Sequence, residues 1–130
     1  MAHWESGRES GLLDDIIAGR KTIEGRLNKG KFADYKVGDT ISLRRDIRDA
    51  TGVLRDGRPG AAQVQILAIR KYASFFSMVS EEGYKSVIPS ATSPKAAADE
   101  YNKFYTAEDQ RAYGVLAIEI KPVAISKLSK

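Results

Sequence analysis

The amino-acid sequence predicts an α+β fold in which short strands make a curled, barrel-like sheet with flanking helices. Three observations carry this. Helix-type spacing near the start gives way to strand alternation, then to helices, then to a last alternating strand. The strands are short and the helices few, which favours a curled sheet over a bundle. The 130 residues suit one core, so a single domain over 1–130 is expected. No internal repeat or low-complexity tract suggests a solenoid or a linker.

Ser6 and Glu9 have capping-box spacing, and Leu12, Leu13, Ile16 and Ile17 follow on one helical face, predicting a helix over 7–18. Gly19 suits the left-handed residue that closes it, because it lacks a Cβ. Residues 21–27 read as a strand, with Ile23, Gly25 and Leu27 on the core face and Thr22, Glu24 and Arg26 on the polar one. Val37, Gly38 and Asp39 form a turn into a strand over 40–45, whose inward pair is Ile41 and Leu43. Residues 46–60 are rich in glycine and charge without apolar periodicity, and read as an exposed hairpin loop.

Residues 62–72 form the longest strand candidate, apolar on both faces for part of its length. Ser74 caps a short helix carrying Phe75, Phe76, Met78 and Val79 and closed by Gly83; residues 84–93 read as a connection. Ser93 and Pro94 start a longer helix with Ala97, Tyr101, Phe104 and Tyr105 inward, and Thr106 caps a further turn. Gly114 opens a final strand in which Leu116, Ile118 and Ile120 alternate with Val115, Ala117 and Glu119, and Pro122 is expected to limit its pairing.

The chain has no cysteine, which removes thiol catalysis and thiolate metal sites. Its start carries Glu5, Arg8 and Glu9 without an apolar run of signal-peptide length, and no stretch is apolar enough to span a membrane. A cytoplasmic protein is expected. The net charge of +4 is compatible with a polyanionic partner but mild for a protein that grips duplex backbone. That charge is spread evenly, with 12 basic and 10 acidic residues in 1–60 and 9 and 7 in 61–130.

The run Gly19-Arg20-Lys21-Thr22-Ile23-Glu24-Gly25-Arg26-Leu27 resembles the G-x-K-x-x-E-x-R-L signature of ASCH domains. In family order follow Val37-Gly38-Asp39-Thr40-Ile41, Tyr72-Ala73-Ser74-Phe75 with Glu82-Gly83, Phe104-Tyr105-Thr106 with Glu108, and Tyr113-Gly114-Val115 with Ala117 to Ile120. The resemblance covers about 11–121 and leaves the loop 46–60 unmatched. It implies a PUA-like β-barrel whose cleft is lined by the signature strand and which binds RNA or acts on it. Some small bacterial members are amidohydrolases that deacylate N-acylated cytidine, while others are regarded as RNA-binding modules. In the amidohydrolases the signature lysine and the residue three positions on belong to the catalytic set, with a later glutamate. The lysine corresponds to Lys21; the second position is threonine there and Glu24 here, and no acidic residue stands in 88–94 to supply the third.

Amide hydrolysis needs a base for water, a donor for the oxyanion and an acid for the leaving amine. Lys21 and Glu24 are the catalytic candidates: a desolvated lysine amine becomes a usable proton carrier, and Glu24 can position or deprotonate a water. Thr22, Arg26, Tyr72 and Ser74 are candidates for substrate binding, and Arg44, Arg45 and Arg48 for phosphate contacts, with Arg55 and Arg58 in the same loop. The competing reading makes Thr22, Glu24 and Arg26 the solvated face of a strand. The interleaved Asp46, Asp49 and Asp56 argue for a solvated loop, and the helical spacing of Tyr101 and Tyr105 for core. Trp4 and Tyr84 are further candidates for base stacking. His3, the one histidine, stands near the terminus and receives no role, and no metal or other cofactor is expected.

The expected function is deacylation of N-acetylcytidine or a related modified nucleoside. The alternative is a non-catalytic module for single-stranded RNA, and then a ribonuclease, for which no histidine pair is present. No obligate protein partner or membrane contact is indicated, and a monomer or weak homodimer is expected.

Overall fold

The computed structural model describes residues 1–48, 50–51 and 54–123. The side chains of Glu9, Arg48, Arg55 and Arg58 lie outside the described set, as do residues 49, 52 and 53 of the expected loop. The elements run β1 (His3–Glu9), α1 (Ser10–Ile17), β2 (Ile23–Leu27), a 3-10 turn (Gly30–Asp34), β3 (Thr40–Arg48) and β4 (Leu54–Tyr72). Helices α2 (Phe75–Glu82), α3 (Tyr84–Val87), α4 (Pro94–Asn102) and α5 (Ala107–Tyr113) follow, and β5 (Val115–Val123) closes the order. The fold is α+β, with one five-stranded mixed sheet in the order β1-β3-β4-β5-β2.

Strand β1 corrects the reading of residues 7–9 as helix. It pairs in parallel with β3, from His3 opposite Thr40 to Glu9 opposite Asp46. The capping box does not form, because Ser6 lies inside this strand, where its hydroxyl accepts from Arg8. What holds β1 is remote in sequence: the Asp39 carboxylate accepts from the Ala2 N–H at 2.9 Å, Trp4 Nε1 at 2.9 Å and the Lys36 N–H at 3.0 Å. His3 is tied as well, its ring Nδ1 lying 2.7 Å from the Thr40 hydroxyl, and Trp4 packs on Tyr35 rather than standing ready to stack on a base. The helix α1 that follows buries Leu13 and Ile16, and Gly19 ends the turn beyond it with φ +82, where a Cβ would be strained.

Strands β3 and β4 run into the segment expected as loop, with β3 reaching Arg48 and β4 starting at Leu54. The three hydroxyl caps are as read: Ser74, Ser93 and Thr106 accept from the N–H groups of Ser77, Ala96 and Asp109 at the starts of α2, α4 and α5. Helix α3 occupies part of the expected connection. Helix α4 stops at Asn102, so Phe104 falls beyond it and is 78% exposed rather than inward. Strand β5 runs past Pro122, which sits opposite Val64, to Val123.

The sheet separates two apolar clusters. On one side α1 packs on Ile41, Leu43, Val64, Ile66, Leu116, Ile118 and Ile120. On the other, α2 to α4 pack on Ile23, Leu27, Val115 and Ala117. Strand β5 therefore feeds alternate residues to both clusters, which is why its first four positions are all buried. Phe75, fully buried, stacks on Tyr101 with ring centroids 4.3 Å apart and planes 3° from parallel. Among the described residues no ladder joins the edge strands β1 and β2, yet Arg8 of β1 is ion-paired with Glu24 of β2. The sheet thus curls far enough for its two ends to meet through side chains, giving the barrel-like curvature without a closing ladder. Among the described residues no helix is long and apolar enough to cross a membrane.

Candidate functional site

Among the described residues strand β2 pairs only with β5, its second edge carries no ladder, and a cleft of about 380 Å³ opens there. Lys21, Glu24, Gly25 and Arg26 form the floor, Arg8 and Leu12 one wall, and Tyr101, Phe104 and Tyr105 the other. Ile88, Ser90 and Glu100 complete the lining. The volume lies within the range of roughly 300–1,000 Å³ typical of small-molecule sites.

The floor is a buried charge cluster rather than the solvated strand face that alternation suggests. Lys21 is 3% exposed and Glu24 5%. The Lys21 ammonium donates to the Ile23 carbonyl at 2.8 Å and the Val87 carbonyl at 2.6 Å, and stands 3.6 Å from Glu24 Oε1. Glu24 Oε2 is paired with Arg8 and lies 3.6 Å from Arg26 Nη2. Three cations therefore surround one carboxylate. Burial lowers the Lys21 pKa; Glu24 draws it back up, while Arg8 and Arg26 press it further down. For Glu24, burial favours the neutral acid, but Arg8, Lys21 and Arg26 together outweigh it and hold the carboxyl at about 2.

The aromatic wall is fixed from behind. Tyr101 and Tyr105 both stack on Phe75, at 4.3 and 5.1 Å. The Tyr101 hydroxyl bonds the backbone of Gly25, and burial raises its pKa, so it stays protonated. Gly25 is required here for space: a Cβ would come within 2.7 Å of Met78 Cε and 2.8 Å of the Tyr101 hydroxyl oxygen. Arg26 lies beside the Tyr105 hydroxyl and over the Phe32 ring, 4.9 Å from its centroid. Burial works against its charge, but Glu24 and Tyr105 hold its pKa above the ordinary value. Phe104 stands free at the rim.

Of the residues singled out in the sequence, Lys21, Glu24 and Arg26 meet in this cleft. Thr22 does not line it; its N–H donates to the Ser86 carbonyl and its own carbonyl accepts from Ile120. Tyr72 and Ser74 lie elsewhere: Tyr72 donates to Glu82 at 2.6 Å, in a network with Arg70, and Ser74 caps α2. Arg44 is paired with the buried Asp46 at 2.6 Å, and Arg45 holds the start of α1 through Ser10 and Asp14. Neither arginine lines the cleft. Arg8 and Glu100 were not visible as site residues, because nothing in their local spacing ties them to Lys21. Among the described residues no group of three or more histidine, aspartate or glutamate side chains is placed to hold a metal.

The curled sheet, the helical insert between β4 and β5 and the charged cleft on a free strand edge define a small α+β module of the PUA-like class. The ASCH domain model matches residues 11–124, and the chain belongs to the ASCH domain family. It is similar to the crystal structure of hypothetical protein PH0355, at 35% identity and TM-score 0.77, over 93% of this chain and 99% of that one. The solution structure of protein PF0455 from Pyrococcus furiosus is 36% identical with TM-score 0.74, over 95% of this chain and 99% of that chain. An ASCH domain from Lactobacillus crispatus shares the fold at 14% identity and TM-score 0.65, over 93% of this chain and 79% of that chain. No curated protein matches the chain significantly.

Proposed function

We propose that the protein is an amidohydrolase that removes the acyl group from the exocyclic amide of N-acylated cytidine or a related modified nucleoside. The observation that carries the reading is Lys21: a buried lysine amine, anchored on two carbonyls, at the floor of a nucleoside-sized cleft beside an aromatic wall. Burial lowers the proton affinity of this lysine, which favours its giving up and taking back a proton. Its bonds to the Ile23 and Val87 carbonyls hold the amine in place at the cleft floor.

In this scheme the cytosine ring rests against Tyr105 and Phe104. Neutral Lys21 takes a proton from a water as its oxygen bonds to the amide carbon, and Arg26 donates to the oxyanion that forms. The Lys21 ammonium then returns the proton to the exocyclic nitrogen as the C–N bond breaks, giving cytidine and the free carboxylic acid. Glu24, paired with Arg8 and beside Arg26, is held ionised and is a poor base; its part is to keep Arg26 and Lys21 in place. Hydrolysis of N-acetylcytidine followed by absorbance tests the reading. Turnover by the wild type and its loss in Lys21→Ala, with both folded by circular dichroism, is the expected result. No turnover by the wild type overturns it, and oligonucleotide binding that weakens steeply with salt would put RNA binding in its place.

A further inference from the structure

We infer that Arg8 is a positioning residue of this cleft: it takes the Glu24 carboxylate as its own partner and so leaves the Lys21 amine free to give up a proton. Its place in a proton-transfer site rests on the hydrolase reading. Its effect on Lys21 does not.

Arg8 is 5% exposed, and its guanidinium is fully committed on one side, Nη1 donating to the Ser6 hydroxyl at 2.8 Å and to the Gly7 carbonyl at 2.5 Å. Nη2 is paired with Glu24, closer than either Lys21 or Arg26, both of which stand at 3.6 Å. The nearest of three cations holds the carboxylate towards itself, and its own positive charge offsets the pull of that carboxylate on the other two. Were Arg8 absent, Glu24 would turn to Lys21 and fix its charge, as any buried carboxylate does for a neighbouring ammonium. With Arg8 present, a protonated Lys21 leaves this buried group with three positive charges against one negative, and losing one proton relieves the excess.

The groups facing Lys21 support this on every side. Glu24 and Arg26 approach from β2, Arg8 from β1, the Val87 carbonyl from α3 and the Ile23 carbonyl from β2 itself. From α4 the cleft wall brings Glu100, whose carboxylate is half exposed and paired with Lys103 at 2.8 Å, and the protonated Tyr101. Among the described residues Glu24 is thus the one buried anion in the lining, and the residue that disposes of it decides the state of Lys21. Arg8 also lies before the first residue matched by the family model, so this control is exerted by a strand outside the matched region.

The test is an NMR titration of the Lys21 ε-methylene in the full chain carrying carbon-13 lysine, for wild type, Arg8→Met and Arg8→Lys. In Arg8→Met the midpoint should rise by about one pH unit or more, the scale expected for a charge within a few ångströms, whereas Arg8→Lys should stay near the wild type. An unchanged midpoint in folded Arg8→Met overturns the proposal. If Arg8→Met does not fold, the charge-removing Arg8→Gln takes its place with the same two outcomes: a rise of about one unit supports the proposal and an unchanged midpoint overturns it. The ascending limb of the pH–rate profile for N-acetylcytidine should follow the same displacement. A shifted midpoint in a protein without turnover would retire the hydrolase reading and leave this one standing. Turnover with an unshifted midpoint would do the reverse.

Discussion

Replacing Glu24 by glutamine isolates the electrostatic contribution of the cleft floor to stability. The carboxyl is held at about 2, against an ordinary 4.5, by Arg8, Lys21 and Arg26. A folded-state pKa below the unfolded one stabilises the fold fully above the unfolded value, and the gain disappears as pH falls through the folded value. At about 1.4 kcal/mol for each unit, Glu24 contributes about 3 kcal/mol at neutral pH. Of this, about 1.4 kcal/mol is gone by about pH 3.5, and nearly all by about pH 2. Glutamine has the shape of the protonated acid without its titration. Glu24→Gln should therefore be less stable than the wild type by about 3 kcal/mol near pH 7 and by only about 2 kcal/mol near pH 3.5. Urea unfolding followed by circular dichroism at both pH values measures the gap. Asp39 and Glu82 also have lowered pKa values, but they are present in both proteins and cancel in the difference. Lys21, whose pKa Glu24 raises, does not cancel, and its midpoint in Glu24→Gln is measured alongside to correct the gap. A gap independent of pH would refute the electrostatic account and leave only packing at position 24.

Gly25→Ala should cost about 1–3 kcal/mol and displace Tyr101, read as a change in tyrosine near-ultraviolet signal together with weaker nucleoside binding, since the added methyl meets Met78 and Tyr101. Phe75→Ala removes the ring on which both cleft tyrosines stack and should destabilise by about 3–5 kcal/mol in urea unfolding. Phe104→Ala, at an exposed rim position, should leave the unfolding midpoint within about 0.5 kcal/mol and weaken nucleoside binding by about 1–3 kcal/mol in a binding titration.

What the sequence made legible was local. The caps at Ser74, Ser93 and Thr106 bond N–H groups three residues on, so their spacing carries the whole signal. The signature lysine and the alternation of β2 placed Lys21, Glu24 and Arg26 near one another. What escaped was decided at a distance. Strand β1 has little apolar alternation, and its place is set by Asp39 and by parallel pairing with β3. Glu24 reads as solvated because nothing beside it in sequence announces that Arg8 will arrive to neutralise it. Phe104 keeps the spacing of the inward stripe, but the helix ends before it and the periodicity no longer applies.

Strand β2 has β5 as its ladder partner, and β5 is the last strand in the order. On the ribosome, β2 emerges early and must wait while β3, β4 and the whole helical insert are made. A half-synthesised chain therefore has no working cleft, and both edges of β2 are open to pairing with another nascent chain. Charges on an open strand discourage such pairing. Glu24 and Arg26, with Lys21 just before the strand, are the groups that later form the floor, so the residues that build the site also guard its strand until its partner is made.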